Sequence, residues 1–382
     1  MEVEVREFRS SVVDIPLIEP MRLPFGIINS RPSGVLELNL VIGNEKVTGY
    51  GEGATLSQAL FTDDSGETIG EAIKEVVNYL KLQGPQEFAE IIRKVQECSF
   101  TSARRYPTAR MTVEMALLDA YSNHVKIPMR KLLGVQDGIE EVPFGKSVGG
   151  GTKEEVINSA RESIATGAKK IKLKISPSTF TNIMSALHDL KREGDCELMV
   201  DANGSFDPFQ ESHLQMLYSL DGLGLIMIEE PVSRVGQIKG LDAVHVLRGK
   251  LNFSTPICLD DCLVDFEKTV AAIELGLADI VNIKPGRIGS IIKAVELADF
   301  CKNRNKQIMV GGMLEATPGR SMTTILAAFF ETLGFTIPGD ISLPQERLST
   351  DMVSQSNLLK YGPNGGIVIP KSLGWGFGQI NF

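Results

Sequence analysis

The amino-acid sequence predicts a (β/α) barrel, an α/β architecture, preceded by a smaller α+β domain. Three observations carry the prediction. From about Val142 to about residue 345, short apolar runs alternate with amphipathic segments, seven or eight times in about 210 residues, which fits a closed barrel better than an open sheet. The first 133 residues instead show strand-like segments followed by helical ones, the order expected of an α+β unit. Five of the barrel runs finish on or beside a charged residue, where barrel enzymes carry their chemistry.

Residues 1 to about 50 alternate as strands do, with Val3, Val5 and Phe8, then Val35 to Ile42. The Gly-rich stretch Gly49-Tyr50-Gly51-Glu52-Gly53 follows. Between about Glu67 and Leu133 the period becomes helical; Met111, Met115 and Leu118 stand at i, i+4 and i+7 of one helix. In the barrel region, helices are expected over 154–165, 180–190, 266–275 and 288–300. The last shows Ile288, Ile291, Ile292 and Val295 as one apolar stripe. The tail after Ser349 is rich in Gly and Pro with short apolar runs, and is expected to pack back on the first domain. The expected organisation is therefore 1–133, 134–348 and 349–382. No low-complexity linker separates the parts, so they should be tightly joined.

The charged residues form an ordered series. Ile171-Lys172-Leu173-Lys174-Ile175 is followed by runs ending at Asp201, Glu229 and Asp260, then by Ile280-Val281-Asn282-Ile283-Lys284. Asp201 and Glu229 are 28 residues apart, Glu229 and Asp260 are 31 apart, and Lys284 follows 24 later, about one strand plus one helix per step. Strand alternation puts Lys170, Lys172 and Lys174 on one face and Ile171, Leu173 and Ile175 on the other. In a barrel the apolar face meets the helices, so the lysines point inward. A solvated edge strand would also carry such a charge run, but it does not explain three acids at equivalent places. Each acid alone could be a helix cap or a turn residue. Three carboxylates converging on one barrel mouth would repel one another unless a cation sat among them. Ligation by oxygen alone selects a hard ion, Mg²⁺ or Mn²⁺.

His124, His188, His213 and His245 all fall in or between helical patterns, and none ends a barrel strand. A histidine acid/base and a histidine-ligated zinc are therefore disfavoured, which leaves proton transfer to lysine. The net charge of −9 and the lack of a Lys/Arg cluster argue against a nucleic-acid surface. Cys98, Cys196, Cys258, Cys262 and Cys301 form no CxxC pair, as expected in a reducing compartment. The N-terminus has no apolar core of a signal peptide, and no apolar run approaches 18 residues, so a cytoplasmic location off the membrane is expected.

These residues resemble the enolase superfamily, in particular its muconate-lactonizing subgroup. The matching stretches are Lys172-Leu173-Lys174, Asp201-Ala202-Asn203, Glu229-Glu230-Pro231, Leu259-Asp260-Asp261, Asn282-Ile283-Lys284-Pro285-Gly286-Arg287 and Gly311-Gly312-Met313-Leu314-Glu315. The resemblance spans essentially the whole chain. It implies an α+β capping domain on a modified (β/α)7β barrel. It implies further that Asp201, Glu229 and Asp260 bind Mg²⁺, that Lys174 and Lys284 are the acid/base pair, and that Lys172 sits beside Lys174 and tunes it. Two cap segments, 24–31 and 52–60, would act as lids. Asn203, Asp261, Ser147, Gly312, Met313, Glu315, Phe25, Ile27 and Leu56 would surround the metal or meet the substrate.

Within the subgroup the likeness is to N-acylamino acid racemases and o-succinylbenzoate synthases, on Asn282–Arg287, Gly311–Glu315 and Pro338-Gly339-Asp340. Dipeptide epimerases usually show Asp-x-Asp where this chain has Asp340-Ile341-Ser342, and muconate cycloisomerases usually have Gln where Glu230 stands. The implied chemistry is removal of the proton α to a carboxylate through an enediolate. Two lysines acting on opposite faces give a racemase or epimerase of an N-acylamino acid. One lysine acting with loss of a β-group gives a dehydratase, o-succinylbenzoate synthase. A binding protein without chemistry is disfavoured because all five central residues are present. A small carboxylate substrate and a homo-oligomer are expected.

Overall fold

The computed structural model describes residues 1–382 apart from Pro24, Phe25, Phe61, Ser99, Phe100, Thr101 and Gly150. The chain opens with β1 (Glu2–Leu23), β2 (Gly26–Ile42) and β3 (Glu45–Ala54). Then come α1 (Ile69–Leu82), the short β4 (Gln86–Glu87), α2 (Phe88–Glu97), α3 (Pro107–Val125) and α4 (Met129–Leu132). The four strands form an antiparallel sheet in the order β3-β2-β1-β4. Alternate residues Val3 and Val5 of β1, and Leu36, Leu38, Leu40 and Ile42 of β2, are buried, and α1 and α3 pack on the sheet. Gly49 and Gly51 stand two apart on β3, where a Cβ would come within 2.0 Å of the Ala116 carbonyl and 2.1 Å of the Thr112 carbonyl. The Gly-rich stretch thus lets α3 lie directly on strand backbone. Met111, Met115 and Leu118 are buried, as the spacing predicted, but so is most of α3, because it lies between the sheet and the barrel helices.

After β5 (Glu141–Val142) the barrel begins. Its strands are β6 (Gly145–Val148), β7 (Lys170–Lys174), β8 (Glu197–Asp201), β9 (Ile228–Glu229), β10 (Ile257–Leu259), β11 (Ile280–Ile283) and β12 (Gln307–Val310). Their helices are α5 (Lys153–Ala165), α6 (Phe180–Glu193), α7 (Glu211–Leu220), α8 (Leu241–Lys250), α9 (Phe266–Glu274), the short α10 (Pro285–Ile288), α11 (Ile291–Asn303) and α12 (Thr317–Leu333). Among the described residues the sheet is parallel in the order β6 to β12. Parallel bridges of Thr336 with Ile308, Asp340 with Gly311 and Gly339 with Phe144 put residues 336–340 between β12 and the start of β6. That segment takes the place of an eighth strand, so the architecture is the expected (β/α)7β barrel with an α+β cap.

The expected helix over 288–300 is two helices. Gly289 turns the chain at φ 81°, and the Ser290 hydroxyl caps α11 through the Lys293 N–H. The apolar stripe shifts accordingly: Ile291, Ala294, Leu297, Ala298 and Cys301 are buried, whereas Ile292 and Val295 are only partly so. The expected lids also differ. Of the first, Pro24 and Phe25 lie outside the described residues and the rest belongs to β2. The second begins inside β3, where Glu52 is fully buried.

Glu52 shows how the cap joins the barrel. Its carboxylate accepts the Ala316 and Gly319 N–H groups at the start of α12, both at 2.8 Å. Glu114 of α3 does the same at the start of α11, accepting the Ser290 hydroxyl at 2.8 Å and the Ile291 N–H. Anionic groups suit helix N-termini, so two carboxylates of the cap finish two barrel helices. The tail returns to α3: Trp375 is buried, its N–H donates to Asp119 at 2.9 Å and its indole N–H to the Met115 carbonyl at 3.0 Å. A last strand, β13 (Ile367–Val368), pairs with β5.

Candidate active site

Parallel register decides which side chains meet. Lys174 lies opposite Asp201, and Asp201 opposite Glu229. Asp260 is the first residue past β10, and Lys284 is the first past β11, where it precedes α10. All are therefore at one end of the sheet. One step further into the ring, Met199, Met227, Cys258, Ile280 and Met309 form a separate buried cluster with Ile337. Alternation accounts for it: 199, 227, 258 and 280 share strand faces with Asp201, Glu229, Asp260 and Asn282. The barrel thus has an apolar floor beneath a charged mouth.

At the mouth every carboxylate holds a cation. Lys174 Nζ donates to Asp201 at 2.6 Å and to Asn203 Oδ1 at 2.7 Å. Lys172 Nζ lies 3.2 Å from Asp201, 3.1 Å from Glu229 and 2.5 Å from Asp340. Across the ring, Lys284 Nζ meets Asp260 Oδ2 at 2.7 Å. Arg287 spans Asp260 Oδ1 at 2.7 Å and Asp261 at 2.6 Å, and Arg234 reaches Asp261 at 3.2 Å. Asn282 donates to Glu229 at 2.9 Å. Glu230 points elsewhere: it accepts the Asp260 and Cys262 N–H groups at 2.8 and 3.1 Å, and so holds the loop that presents Asp260.

Burial and pairing set the ionisation. Burial pushes the Glu229 carboxyl up to about 8, against the pull of Lys172 and with help from Asp201, Asp260 and Asp340. Asp201 is also buried, yet Lys174 and Lys172 outweigh burial and hold it below its ordinary value. For Asp261 burial is outweighed by Arg287, Lys284 and Arg234, and its carboxyl lies well below the usual range. Burial disfavours charge on Lys172, but Asp340, Glu229 and Asp201 more than offset it and raise its pKa.

Asp201, Glu229 and Asp260 offer oxygen donors only, the chemistry of a hard divalent cation. Lys172 already serves Asp201 and Glu229 as one shared cation, which suits an ion between them. Among the described residues, no group of three or more His, Cys, Asp or Glu side chains is placed to hold a metal ion. The three acids instead face the ammonium and guanidinium groups above. The three acids fit the cation by donor type, but their present placement forms no metal site, and holding an ion there would require those ammonium groups to shift.

Other expected site residues are spread more widely. Asn203 and Asp261 join the cluster directly, and Asn203 Nδ2 donates to Asp261 at 3.4 Å. The Gly312 N–H donates to the Asp340 carbonyl at 3.2 Å. Met313 and Leu56 face each other across a small pocket at the cap–barrel seam, which Thr55 and Thr108 also line. Glu315 is buried, 3.0 Å from Arg320 and near Arg31 and Glu52. Ser147 is half-buried on β6, where its carbonyl accepts from Arg347 at 3.0 Å. Ile27 is largely exposed, and Phe25 lies outside the described residues. A cleft of about 580 Å³ opens beside the cluster, between Leu60 of the cap and Arg234, Asp261 and Lys268 of the barrel. Sequence reasoning did not single out Asp340 or Arg287 as partners of the central residues. The signal for Arg287 was its place three residues after Lys284 at the start of a helix.

Residues 155–377 match the family profile described as enolase C-terminal domain-like. The chain is 26% identical over 368 residues to the o-succinylbenzoate synthase of Geobacillus stearothermophilus, covering 96% of this chain and 91% of that protein. It is 28% identical over 378 residues to the N-succinylamino acid racemase of Thermus thermophilus, covering 98% of this chain and 94% of that one. The crystal structure of an enolase superfamily member from Listeria innocua has the same fold, with a TM-score of 0.83 at 24% identity over 98% of this chain and 94% of that chain. Fold, strand-end residues and the match over more than half its length agree that this chain belongs to the enolase superfamily, in its enolase C-terminal domain-like family.

Proposed function

We propose that the chain is a divalent-cation-dependent racemase or epimerase of an N-acylamino acid, acting on the proton α to the carboxylate. The observation that carries the reading is the pair of lysines on opposite sides of the mouth, Lys174 on Asp201 and Lys284 on Asp260. The 28% identity to an N-succinylamino acid racemase supports it. Asp201, Glu229 and Asp260 would hold Mg²⁺ or Mn²⁺, which would stabilise the charge left on the substrate carboxylate when the α-proton departs. Lys174 would take the proton from one face of the α-carbon and Lys284 would return one to the other. Each lysine is half-buried and hydrogen-bonded, so its nitrogen is aimed before substrate arrives. The lysine that takes the proton acts as the free amine and becomes ammonium, and the one that returns a proton starts as ammonium and becomes the amine. Asn203 and Arg287 keep these groups from rotating away, Asn203 through Lys174 and Arg287 through Asp260.

A second reading, o-succinylbenzoate synthase, draws on the 26% identity to such an enzyme over nearly the whole chain. There one lysine removes the proton and the other faces developing charge while a β-hydroxyl leaves. N-succinylamino acids, dipeptides and the o-succinylbenzoate precursor, each incubated in D₂O with Mg²⁺, separate the readings. Deuterium at the α-carbon with inversion supports the racemase; loss of water without inversion supports the synthase. Exchange with none of these substrates would refute both.

A further inference from the structure

Three lysines share the inward face of β7, and the proposed chemistry uses only the outer two. Lys170 is fully buried. Its ammonium lies 3.0 Å from Asp340 Oδ1 and 3.2 Å from the Met309 sulfur. The other oxygen of Asp340 meets Lys172 at 2.5 Å. One carboxylate is thus forked between the ammonium groups of two residues on the same strand face, whose backbone positions are about 7 Å apart along the strand. Lys172 completes the chain of contacts to Asp201 and Glu229.

Fold stability does not account for this arrangement. Removing two ions from water costs several kcal/mol each, and apolar residues of equal volume in their place are often as stable or more so. Apolar neighbours are at hand, since Met309 belongs to the buried floor of Met199, Met227, Cys258, Ile280 and Ile337. The barrel also gives up a side chain to admit Lys170. A Cβ at Gly145 on the neighbouring strand would come within 2.4 Å of Lys170 Cε. Gly339, just before Asp340, lies so close to β12 that its Cβ would meet the Val310 carbonyl at 2.6 Å.

We propose that the Lys170–Asp340 pair is a positioning device for Lys172: Asp340 holds the Lys172 ammonium down from the mouth, and Lys170 holds Asp340. This rests on the reading that the lysines of β7 and the acids of β8 and β9 form the active centre. Without Asp340, Lys172 has only Asp201 and Glu229 to pair with, and its ammonium moves up against them. Without Lys170, Asp340 is released to follow Lys172 towards the mouth.

Lys170→Met combined with Asp340→Leu removes the pair at similar volume. Asp340→Asn removes the charge and keeps the shape, and Lys170→Arg keeps the charge. Urea unfolding and α-proton exchange on N-succinyl-L-phenylalanine in D₂O are measured for each. The double variant should unfold at an equal or higher midpoint, with kcat reduced on the order of 10- to 100-fold and KM little changed. Lys170→Arg should keep most of kcat. Wild-type kcat in the double variant, or a loss of activity that only follows the fraction unfolded, would overturn the proposal. If the double variant does not fold, Asp340→Asn must show the same fall in kcat. A crystal structure of Asp340→Asn reads the geometry without any substrate. Lys172 should leave its present place between Asp201, Glu229 and residue 340, and an unmoved Lys172 would overturn the proposal. Absence of turnover by the wild-type enzyme on every substrate would strike the proposed function and leave that crystallographic result to decide this one.

Discussion

Replacing Glu52 with Gln should flatten the dependence of folding stability on pH. Glu52 is fully buried, accepts the N–H groups of Ala316 and Gly319 at 2.8 Å, and takes the Ser33 hydroxyl at 3.1 Å. Burial pushes its carboxyl from an ordinary 4.5 up to about 7; the two N–H groups oppose that shift, and Glu315 and Asp351 reinforce it. The folded state therefore binds this proton more tightly than the unfolded chain does. The resulting stability is fully present below about 4.5 and is lost as pH rises through about 7. Between pH 5 and pH 8 the loss is roughly 2.5 kcal/mol. Gln keeps the shape but offers one acceptor oxygen, so one of the two N–H groups faces an amide N–H₂ instead. That costs about 1–3 kcal/mol at pH 5, where the wild-type carboxyl is protonated. The variant should be the less stable at pH 5 and close to parity at pH 8. Urea unfolding of both proteins at each pH gives the two curves. Parallel curves would refute the reasoning, because they would mean that Glu52 does not change its protonation on unfolding in this range.

Chelation by EDTA should abolish α-proton exchange, and Mg²⁺ or Mn²⁺ should restore it. Asp201→Asn, Glu229→Gln and Asp260→Asn should each weaken cation binding in calorimetry while circular dichroism stays that of the folded protein. Gly311→Ala should disable Lys284, because the new Cβ would stand 2.4 Å from Lys284 Cε and 2.2 Å from Asn282 Oδ1; the test is exchange from each enantiomer at unchanged fold. Trp375→Ala should cost about 3–5 kcal/mol in urea unfolding, since this fully buried ring anchors the tail to α3.

Residues that repeat by a local rule were legible in the sequence. Lys174, Asp201, Glu229, Asp260 and Lys284 all stand at or next to the end of a barrel strand, and Lys172 shares the face of Lys174 two residues earlier, so alternation and spacing were enough to place them together. Pairings created only when the ring closes were not legible. Lys170 and Asp340 meet because residues 336–340 come round beside β6 and β12, and nothing near either residue in the chain marks the partner. Glu52 was misread for a similar reason. The resemblance put it at the start of a lid, whereas its partner is the start of α12, 264 residues downstream at Ala316. The break in the 288–300 helix was hidden because the apolar period runs on across Gly289 and Ser290.

The central claim is that Lys174 and Lys284 each serve one face of the same α-carbon. Deuterium incorporation from D₂O, followed by NMR on each enantiomer of an N-succinylamino acid separately, tests it with the Lys174→Ala and Lys284→Ala variants. Lys174→Ala should lose exchange from one enantiomer and Lys284→Ala from the other, each by about 10² to 10⁴ in rate, and both should lose net racemisation. Exchange from both enantiomers that survives unchanged in both variants would place the acid/base groups elsewhere and contradict the account.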